Sequence, residues 1–257
     1  MPRSPRSEPA DSRRHPAVTV AISVKDDGEL LRRCLRALAQ QTTRPSEVIV
    51  VDNGSSDESA RIAKEAGARV ISHPSGGIAA ASAAGYAAAS GEVIARLDAD
   101  CVPSSTWIRS LLEALDGRPD VGAVTGGARY IGGPVEWQRV AAFLYLGAYR
   151  AVLTPALGHV PLFGSNMAMR SSAWAAVSAE VHRDDIYVHD DLDLSFHLGA
   201  RHRIIVAPRA EIGIAWRPFR GVRALLLRIR RGFHSVWLHW PAQFPALRWL
   251  RRLLALR

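Results

Sequence analysis

Two acidic residues lie one position apart just after an apolar run, and they are the clearest sign of chemistry in this chain. The run from Glu92 to Leu97 is rich in Val and Ile and predicts a buried strand. Asp98 and Asp100 follow it, and an extended chain would aim both carboxylates the same way. Hard oxygen donors suit Mg²⁺ or Mn²⁺, so the pair predicts a metal site. A solvated strand end with two surface acids is the alternative.

A second acid, Asp52, ends the apolar run that starts at Glu47, and an Asn-Gly turn and a predicted helix start follow it. A carboxylate at such a strand end can accept a hydrogen bond from a base or a ribose hydroxyl, and the N-terminus of the next helix favours anions. The alternative is an Asp that only caps a turn.

A third group of acids, Asp190, Asp191 and Asp193, opens a predicted helix after Val188 and His189. Acids in a first helical turn usually complement the helix dipole, and that is the simpler interpretation. Beside an anion-binding crevice, one of them could instead serve as a general base, its ionised form stabilised by the helix N-terminus.

Strands alternate with helices over the first half of the chain. Apolar runs predict strands at Val18–Val24, Glu47–Val51, Arg69–Ser72, Glu92–Leu97 and Val121–Thr125. Helical spacing predicts helices from Leu30 to Gln41, from Ser55 to Gly67 with a capping box at Ser55 and Glu58, from Gly76 to Ser90 and from Ser104 to Leu115. This order predicts an α/β fold with a mostly parallel sheet flanked by helices.

The regular alternation of predicted strands and helices ends after Gly132. The pattern there predicts an apolar helix at Val135–Leu153, a strand at Phe163–Met169, a short helix at Asp190–Leu198 and a strand at Arg203–Ala207. Residues 1–16 contain Pro, Ser and Arg without an apolar segment, and predict a disordered tail instead of a secretory signal. The apolar run Val140–Tyr149 is too short to cross a membrane, so no spanning segment is expected.

Positive charge is concentrated at the C-terminal end. The net charge is +9, and only Lys25 and Lys64 are lysines, so arginine carries most of it. No acid follows Glu211, which points to an anionic partner: lipid head groups, nucleic acid or a phosphorylated substrate. Cys34 and Cys101 have neither disulfide nor metal-ligand spacing, and Cys34 falls on a helix's apolar face, so a reducing, cytoplasmic location is expected.

The C-terminal segment 211–257 has two basic amphipathic patterns, from Val222 to Trp240 and from Leu247 to Leu256. Apolar residues with Trp237 and Trp249 occupy one side of these helices, and arginines occupy the other. Such helices fit an anionic membrane interface. The alternative is a helix packed on the sheet with a solvated arginine face, and for the first helix both interpretations stay open.

Four segments in order resemble the family 2 glycosyltransferases over about Val18 to Pro208: Val50–Asp57, Asp98–Asp100, Gly164–Arg170 and His189–Ser195. The resemblance implies a GT-A fold, a nucleoside-diphosphate sugar as donor, a divalent metal, Mg²⁺ or Mn²⁺, and inversion at the anomeric carbon. It implies a catalytic domain at 17–210, with a nucleotide-sugar-binding half at 17–130 and an acceptor-binding half at 131–210.

The resemblance also implies roles for single residues. On the donor side, Asp52 would bind the nucleobase together with Ser23 and Asp26 at the end of the first strand. Asp98 would contact the ribose and the metal, and Asp100 would coordinate the metal that bridges the diphosphate. Asp191 would be the catalytic base, which takes the proton from the attacking hydroxyl. Asn166 and Asp190 would line the acceptor side.

The sequence departs from the family pattern in three places. The first strand ends in Ser23-Val24-Lys25-Asp26 instead of a Pro-x-Tyr-Asn-like sequence, so Lys25 changes the charge there. Ser82-Ala83 replaces an Arg-Asn pair of relatives and removes a possible phosphate or metal-site partner. The Gln-x-x-Arg-Trp motif of processive members is absent, which favours transfer of a single sugar. His234 nearby is interpreted as a surface residue.

These observations predict a metal-dependent, inverting glycosyltransferase at the cytoplasmic face of a membrane. Its acceptor would be a hydroxyl of a polysaccharide or of a lipid-linked glycan. Two alternatives remain, a nucleotidyltransferase acting on a sugar phosphate and a basic nucleic-acid-binding protein. The loop from Lys25 to Gly28 has two acidic residues and one basic residue, which argues against a nucleotidyltransferase. No nucleic-acid partner is expected, because the acids of the cleft would repel phosphates unless a metal intervenes.

Overall fold

The computed structural model describes residues 15–132, 134–215 and 222–255. Within these ranges eight strands form one sheet. They are β1 (Val18–Val24), β2 (Glu47–Asp52), β3 (Arg69–Ser72), β4 (Val93–Asp98), β5 (Cys101–Pro103), β6 (Val121–Ile131), β7 (Asn166–Arg170) and β8 (Arg203–Ala215).

Helices flank this sheet and continue beyond it. They are α1 (Gly28–Ala39), α2 (Ser59–Glu65), α3 (Gly77–Ala88), α4 (Trp107–Leu115), α5 (Val135–Leu157), α6 (Ser171–Val177), α7 (Asp190–Arg201), α8 (Val222–Leu238) and α9 (Pro245–Ala255). Each of the strands β1, β2 and β3 is followed by a helix, as the alternating pattern predicts.

The sheet has the order β3-β2-β1-β4-β7-β6-β8-β5. Strands β3, β2, β1 and β4 are parallel, whereas β7 runs antiparallel to both of its neighbours, β4 and β6. Beyond it, β8 is parallel to β6 and antiparallel to β5. The predicted α/β fold with a mostly parallel sheet is therefore confirmed, with the antiparallel pairs confined to the second half.

The strand register brings the candidate acids to one edge of the sheet. In the parallel pairs, Val24 lies opposite Asp52, and Ser23 lies opposite Asp98. Leu97 lies opposite Asn166, the first residue of the antiparallel β7. The loop before β7 therefore meets the carboxyl end of β4, where open α/β sheets form their ligand crevice.

The central strands are buried because helices cover both of their faces. Val20 and Ile22 of β1 are fully buried, and Leu31 and Cys34 of α1 pack into the same core. Fully burying one such aliphatic side chain contributes roughly 1.5–3 kcal/mol. Cys34 is therefore a packing residue, as its position on the apolar face of α1 predicts. A rigid core of this kind keeps the loops at the sheet edge in fixed positions.

Several boundaries differ from those that the sequence predicts. Strands β6 and β8 are longer than predicted because they pair with each other almost from end to end. Since β8 continues to Ala215, the domain boundary predicted at residue 210 falls inside a strand. Helix α2 begins at Ser59 instead of Ser55, and the Asp57 carboxylate accepts the Ser59 backbone N–H. The predicted tail falls mostly outside the described residues.

Helix α5 runs to Leu157, longer than its apolar core indicates. Among the described residues it is the one helix long and apolar enough to cross a membrane, with a mean hydropathy of 1.4 over its best 18-residue window, 17% of it buried. The sequence-based expectation of no spanning segment was therefore too strict on length. On composition and length alone such a helix is weak evidence, because soluble core helices pass the same test.

Candidate active site

Four of the acids predicted from the sequence, Asp98, Asp100, Asp190 and Asp191, lie together in one cleft of about 330 Å³, at the edge where β4 ends and α7 begins. Ligand-binding clefts commonly enclose such a volume. The residues that line it are Ile78, Arg96, Asp98, Asp100, Tyr145, Tyr149, Phe163, Gly164, Ser165, Val188, His189, Asp190, Asp191, Ile214, Ala215, Arg228 and Arg231. The two acids after β4 thus share a cleft with the acids that open α7, although about ninety residues of chain separate them.

Asp98 and Asp100 are half-buried at the mouth of this cleft. Asp98 is the last residue of β4, and Asp100 precedes β5, so the short link between the two strands carries both carboxylates. One Asp98 oxygen accepts the Ser165 hydroxyl at 2.5 Å. Two carboxylates on such a link are a donor set that Mg²⁺ and Mn²⁺ prefer, so the residues present fit a divalent metal.

Arg96 lies beneath these acids with its side chain almost fully buried. Its guanidinium contacts Asp190 at 2.5 Å and Asp98 at 3.2 Å. Although burial opposes its charge, the neighbouring carboxylates, Asp190 first, raise the pKa of Arg96 further above its usual range. The cleft therefore contains a permanent positive charge in the middle of its acidic side chains.

Asp191 is buried and its carboxylate is held from two sides. The His189 ring nitrogen Nδ1 lies 2.5 Å from Oδ1, and the backbone N–H of Gly164 donates to Oδ2 at 2.7 Å. Burial alone would raise the pKa of Asp191, but the charge and hydrogen bond of His189, with Arg96, lower it. In turn the Asp191 charge raises the pKa of His189 to about 9. The carboxylate is therefore ionised at neutral pH, as a general base must be.

Gly164 allows this contact because it has no side chain. A Cβ at this position would lie 3.0 Å from the Asp191 carboxylate and 3.1 Å from the Arg96 guanidinium. Its backbone N–H can therefore approach the base closely. The loop before β7 thus positions Asp191 from one side while Ser165 holds Asp98 from the other.

Ser23 and Asp190 are connected through a chain of hydroxyls. The hydroxyls of Ser23 and Ser82 lie 3.3 Å apart, and Ser82 donates to Asp190 at 3.2 Å. Ser82 thus contacts the acid that opens α7, and the Arg96 guanidinium contacts the same carboxylate.

Asp26 and Asp52 lie at the same sheet edge but do not line the acidic cleft. Asp26 has a left-handed backbone with φ of 52°, and its Oδ1 accepts the backbone N–H and the hydroxyl of Ser56. The hydrogen bond from the Ser56 backbone lowers the pKa of Asp26. Asp52 accepts the backbone N–H of Ser55 at 2.9 Å. Both acids hold the loop after β2, and their contact with a nucleobase stays a prediction.

Asn166 has a structural role that the sequence did not reveal. Its side chain is fully buried, accepts the Trp107 indole N–H at 2.8 Å and donates to the carbonyls of Gly127 and Ala210, each at 2.7 Å. No part of it lines the cleft. Its neighbours Gly164 and Ser165 line the cleft instead, and which residues bind the acceptor stays a prediction.

Two arginines of α8 line the cleft, and sequence reasoning missed this role. The amphipathic pattern places the arginines of α8 on an outer side, facing either a membrane or solvent, but Arg228 and Arg231 line the same cleft as the acids of β4 and α7. A signal was available, because Arg228 and Arg231 lie three residues apart and share a helical face. His234 lies outside the cleft, half-exposed, with its Nε2 2.6 Å from Asp185.

This fold and this acidic cleft define a transferase of the GT-A class. The family model described as "Glycosyl transferase family 2" matches residues 19–181. The chain belongs to this family, as its motifs predict.

Curated relatives align with roughly half of the chain. Glycosyltransferase AglE of Haloferax volcanii is 33% identical over 130 residues, which are 48% of this chain and 40% of that protein. The uncharacterized glycosyltransferase Rv0539 of Mycobacterium tuberculosis is 34% identical over 125 residues, which are 49% of this chain and 54% of that protein. The chain thus spans about half or less of the length of these relatives.

Solved structures share the fold over most of the chain. Mannosyltransferase PcManGT from Pyrobaculum calidifontis, in complex with GDP-Man and Mn²⁺, has a TM-score of 0.62 at 22% identity, covering 85% of this chain and 61% of that one. Glucosyl-3-phosphoglycerate synthase from Mycobacterium tuberculosis, with Mn²⁺, UDP and phosphoglyceric acid, has a TM-score of 0.61 at 20% identity, covering 86% and 77%. At these identities the likeness establishes the GT-A fold.

Proposed function

We propose that this protein transfers a single sugar from a nucleoside-diphosphate sugar to an acceptor hydroxyl, with inversion at the anomeric carbon and with a divalent metal. The observation that carries the proposal is the convergence in one cleft of two metal-type carboxylates, an ionised buried carboxylate and two arginines. The structural neighbours with bound GDP-Man or UDP, both with Mn²⁺, support the same donor class and metal.

The diphosphate would bind on the side of the cleft formed by Asp98 and Asp100. These two residues would hold Mg²⁺ or Mn²⁺, which supplies Lewis-acid stabilisation of the departing nucleoside diphosphate. Arg228 and Arg231 add fixed positive charge from the opposite wall, where a developing negative charge gains most from preorganised partners. In the proposed complex Ser23, Asp26 and Asp52 would surround the base and ribose at the adjoining sheet edge.

Asp191 would accept the proton of the attacking hydroxyl. It is ionised, buried and fixed by His189 and Gly164, so it needs little reorganisation when the acceptor binds. Direct attack with one base and no covalent intermediate inverts the anomeric carbon. Asp190 is neutralised by Arg96 and would orient the acceptor near this base.

The acceptor that we propose is lipid-linked, so the protein would work at the cytoplasmic face of a membrane. Apolar side chains are exposed along α5, α8 and α9, among them Phe143, Phe233 and Trp237, each more than 70% exposed. Exposed apolar area of this extent marks an interaction surface. Arginines flank it, and Trp at the edge of a basic amphipathic helix is typical of a membrane interface. Helix α8 contributes both to this surface and, through Arg228 and Arg231, to the lining of the cleft.

The donor part of the proposal is tested by binding. Thermal shift with a set of nucleoside-diphosphate sugars should show stabilisation by at least one of them in the presence of Mn²⁺ and none without it. Asp100→Asn should abolish that stabilisation, because it removes a metal ligand. The exposed acid Asp120 provides the matched control, and Asp120→Asn should bind the donor as the wild type does. Stabilisation that is independent of metal would overturn the metal-dependent mechanism.

The membrane part is tested by sedimentation with vesicles. The double variant Phe233→Ser and Trp237→Ser should partition less to vesicles that contain anionic lipid, because both side chains are exposed and are not needed for the fold. Val206→Ser, on the outer side of β8, is the control for loss of an exposed apolar residue. Equal partitioning of all three proteins would contradict the proposed membrane surface.

A further inference from the structure

Three histidines and one aspartate form a cluster apart from the catalytic cleft. They are His182, Asp193, His197 and His239, and one ligand atom of each lies within 4.8 Å of the others. Asp193 and His197 are one turn apart on α7, His182 lies in the loop before that helix, and His239 follows directly after α8. None of the four lines the cleft that contains Asp191.

The cluster is closed to solvent on most sides. The side chains of Asp193, His197 and His239 are 3%, 7% and 2% exposed, and that of His182 is 35% exposed. Polar side chains that are buried so completely need partners, because burial without them costs free energy. The atoms that point into the cluster have the other members of the cluster as their neighbours.

The three ring nitrogens lie around one oxygen of Asp193. Oδ1 of Asp193 lies 2.7 Å from Nδ1 of His182, 3.5 Å from Nε2 of His197 and 3.3 Å from Nε2 of His239. The Nε2 atoms of His197 and His239 are 3.3 Å apart. In a tetrahedral zinc site with Zn–N and Zn–O bonds of about 2.0–2.1 Å, neighbouring ligand atoms are about 3.3–3.4 Å apart. Three of the four distances agree with that spacing within a few tenths of an ångström.

Hydrogen bonds alone do not account for this arrangement. A carboxylate oxygen has about two lone-pair sites, yet three ring nitrogens surround Oδ1 of Asp193. The other oxygen, Oδ2, already accepts the backbone N–H of His182 at 2.9 Å. Nε2 of His197 and Nε2 of His239 lie 3.3 Å apart, so without an ion one of them has to donate a hydrogen to the other.

The outer ring nitrogen of His239 has a hydrogen-bond partner of the kind that orients metal-binding histidines, and that of His197 lies near a carboxylate. Nδ1 of His239 donates to the Ser235 carbonyl at 2.7 Å, which leaves the lone pair on Nε2, inside the cluster. Nδ1 of His197 lies 3.4 Å from the carboxylate of Glu180, which favours the same tautomer for that ring. Carbonyl and carboxylate groups behind ligating histidines are the usual outer shell of a metal site.

We propose that His182, Asp193, His197 and His239 bind a Zn²⁺ ion as a closed, four-coordinate structural site. Three imidazoles and one carboxylate are a ligand set that zinc accepts, whereas Mg²⁺ and Mn²⁺ prefer all-oxygen sites such as Asp98 and Asp100. The negative charge of Asp193 compensates part of the charge of a dication directly.

The ion would fasten α8 to α7 and to the loop before it. Two other contacts join the same elements, since the hydroxyl of Ser235 on α8 accepts the backbone N–H of His189, and the ring of His239 stacks on Phe196 at 4.1 Å. Because α8 carries Arg228 and Arg231, its attachment fixes the positive wall of the cleft. The site is thus a structural support for the cleft and takes no part in the reaction itself.

Metal analysis of the full-length protein tests the proposal. Wild type that has been stripped with a chelator and titrated with Zn²⁺ should bind one equivalent at this site, and its thermal unfolding temperature should rise on binding. Co²⁺ in place of Zn²⁺ should give the visible absorption of a tetrahedral site. The pair Asp98→Asn and Asp100→Asn should keep the zinc and the cobalt spectrum, which separates this site from the proposed catalytic metal.

Substitutions of the ligands give the decisive comparison. His197→Gln and His239→Gln should lose the bound zinc and the zinc-dependent rise in unfolding temperature, whereas His202→Gln, at the end of the same helix α7, should retain both. If the ligand variants do not fold, Glu180→Gln provides a milder test, with an expected loss of roughly 10- to 100-fold in zinc affinity. Absence of zinc binding in the wild type, or wild-type affinity in all these variants, would overturn the proposal.

Discussion

The guanidinium of Arg96 on β4 lies 2.5 Å from the carboxylate of Asp190, the first residue of α7. The same group contacts Asp98, so one buried cation connects the metal-type acids to the helix that carries the base. Without it, Asp98, Asp190 and Asp191 would repel one another in a partly desolvated cleft. Arg96 therefore lets these three acids occupy one small region before any ligand binds.

Replacement of Arg96 should lower the stability of the folded protein. Arg96→Met keeps much of the side-chain volume but leaves Asp98 and Asp190 without their buried partner, so the free energy of unfolding should fall by about 3 kcal/mol. Denaturant unfolding measures this. Arg69→Met, which breaks an exposed pair with Glu47, should change it by less than about 1 kcal/mol. Equal effects of the two substitutions would contradict the role of Arg96.

Removal of the base should separate binding from transfer. Asp191→Asn retains the shape of the side chain but cannot accept the proton, so kcat should fall by roughly 10²- to 10⁴-fold. Donor affinity in the presence of Mn²⁺ should stay close to that of the wild type, because the metal-type acids are intact. Steady-state kinetics and donor titration measure the two quantities. A variant with near-normal kcat would remove Asp191 from the mechanism.

The ion pair of His189 with Asp191 should make stability depend on pH. The Asp191 carboxylate raises the pKa of His189 in the folded protein to about 9, from the usual 6.5 of histidine. The pair therefore stabilises the fold below about pH 6.5, and this contribution is lost as pH rises through about 9. The unfolding free energy of the wild type should therefore exceed that of His189→Gln by about 2 kcal/mol at pH 6, with little difference near pH 10.

His202 is a control for which stability should change with pH in the opposite direction. Burial lowers the pKa of His202, so its contribution to stability is present above the unfolded pKa and is lost as the pH falls. The difference between wild type and His202→Gln should therefore grow with rising pH. Unfolding temperatures of the three proteins across this pH range measure both trends. A pH-independent difference for His189→Gln would contradict the proposed ion pair.

Much of the fold could be predicted because local patterns coincide with tertiary structure. Strand β1 has the predicted bounds, since a continuous apolar run between turns fits a strand that is buried on both faces, and the bounds of the short edge strand β3 were also predicted correctly. The lengths of β6 and β8 could not be predicted from such runs. These strands alternate polar and apolar residues beyond their apolar starts, and their length is set by their mutual pairing.

The acids of the site were predictable, but their partners were not. Asp98, Asp100 and Asp191 are recognisable because their positions relative to a strand end and a helix start follow from the sequence. Arg96 lies inside an apolar run, and nothing local shows that its side chain turns toward α7. Arg228 and Arg231 belong to a helix whose orientation depends on packing against α7, which amphipathic spacing alone does not determine.

Loss of the two cleft arginines should weaken donor binding. Arg228→Gln and Arg231→Gln remove positive charge opposite the metal-type acids, so nucleoside diphosphate should bind roughly tenfold more weakly with each, and the dependence of binding on salt should decrease. Isothermal titration at two salt concentrations measures this. Arg230→Gln is the matched control, because Arg230 lies over the Tyr187 ring at 5.6 Å and does not line the cleft. Equal losses in all three variants would indicate a general charge effect.

The role of Asn166 separates structural from acceptor-binding functions in the motif before β7. Asn166→Ala would leave the Trp107 indole N–H and the carbonyls of Gly127 and Ala210 buried without their partner, and each such group costs about 1–3 kcal/mol. Denaturant unfolding should therefore show a loss of several kcal/mol, while KM for the acceptor stays unchanged where the variant is folded. Ser165→Ala should instead raise the acceptor KM with little loss of stability, since Ser165 lines the cleft and donates to Asp98. A raised acceptor KM with normal stability in Asn166→Ala would contradict the structural role and support a role of Asn166 in acceptor binding.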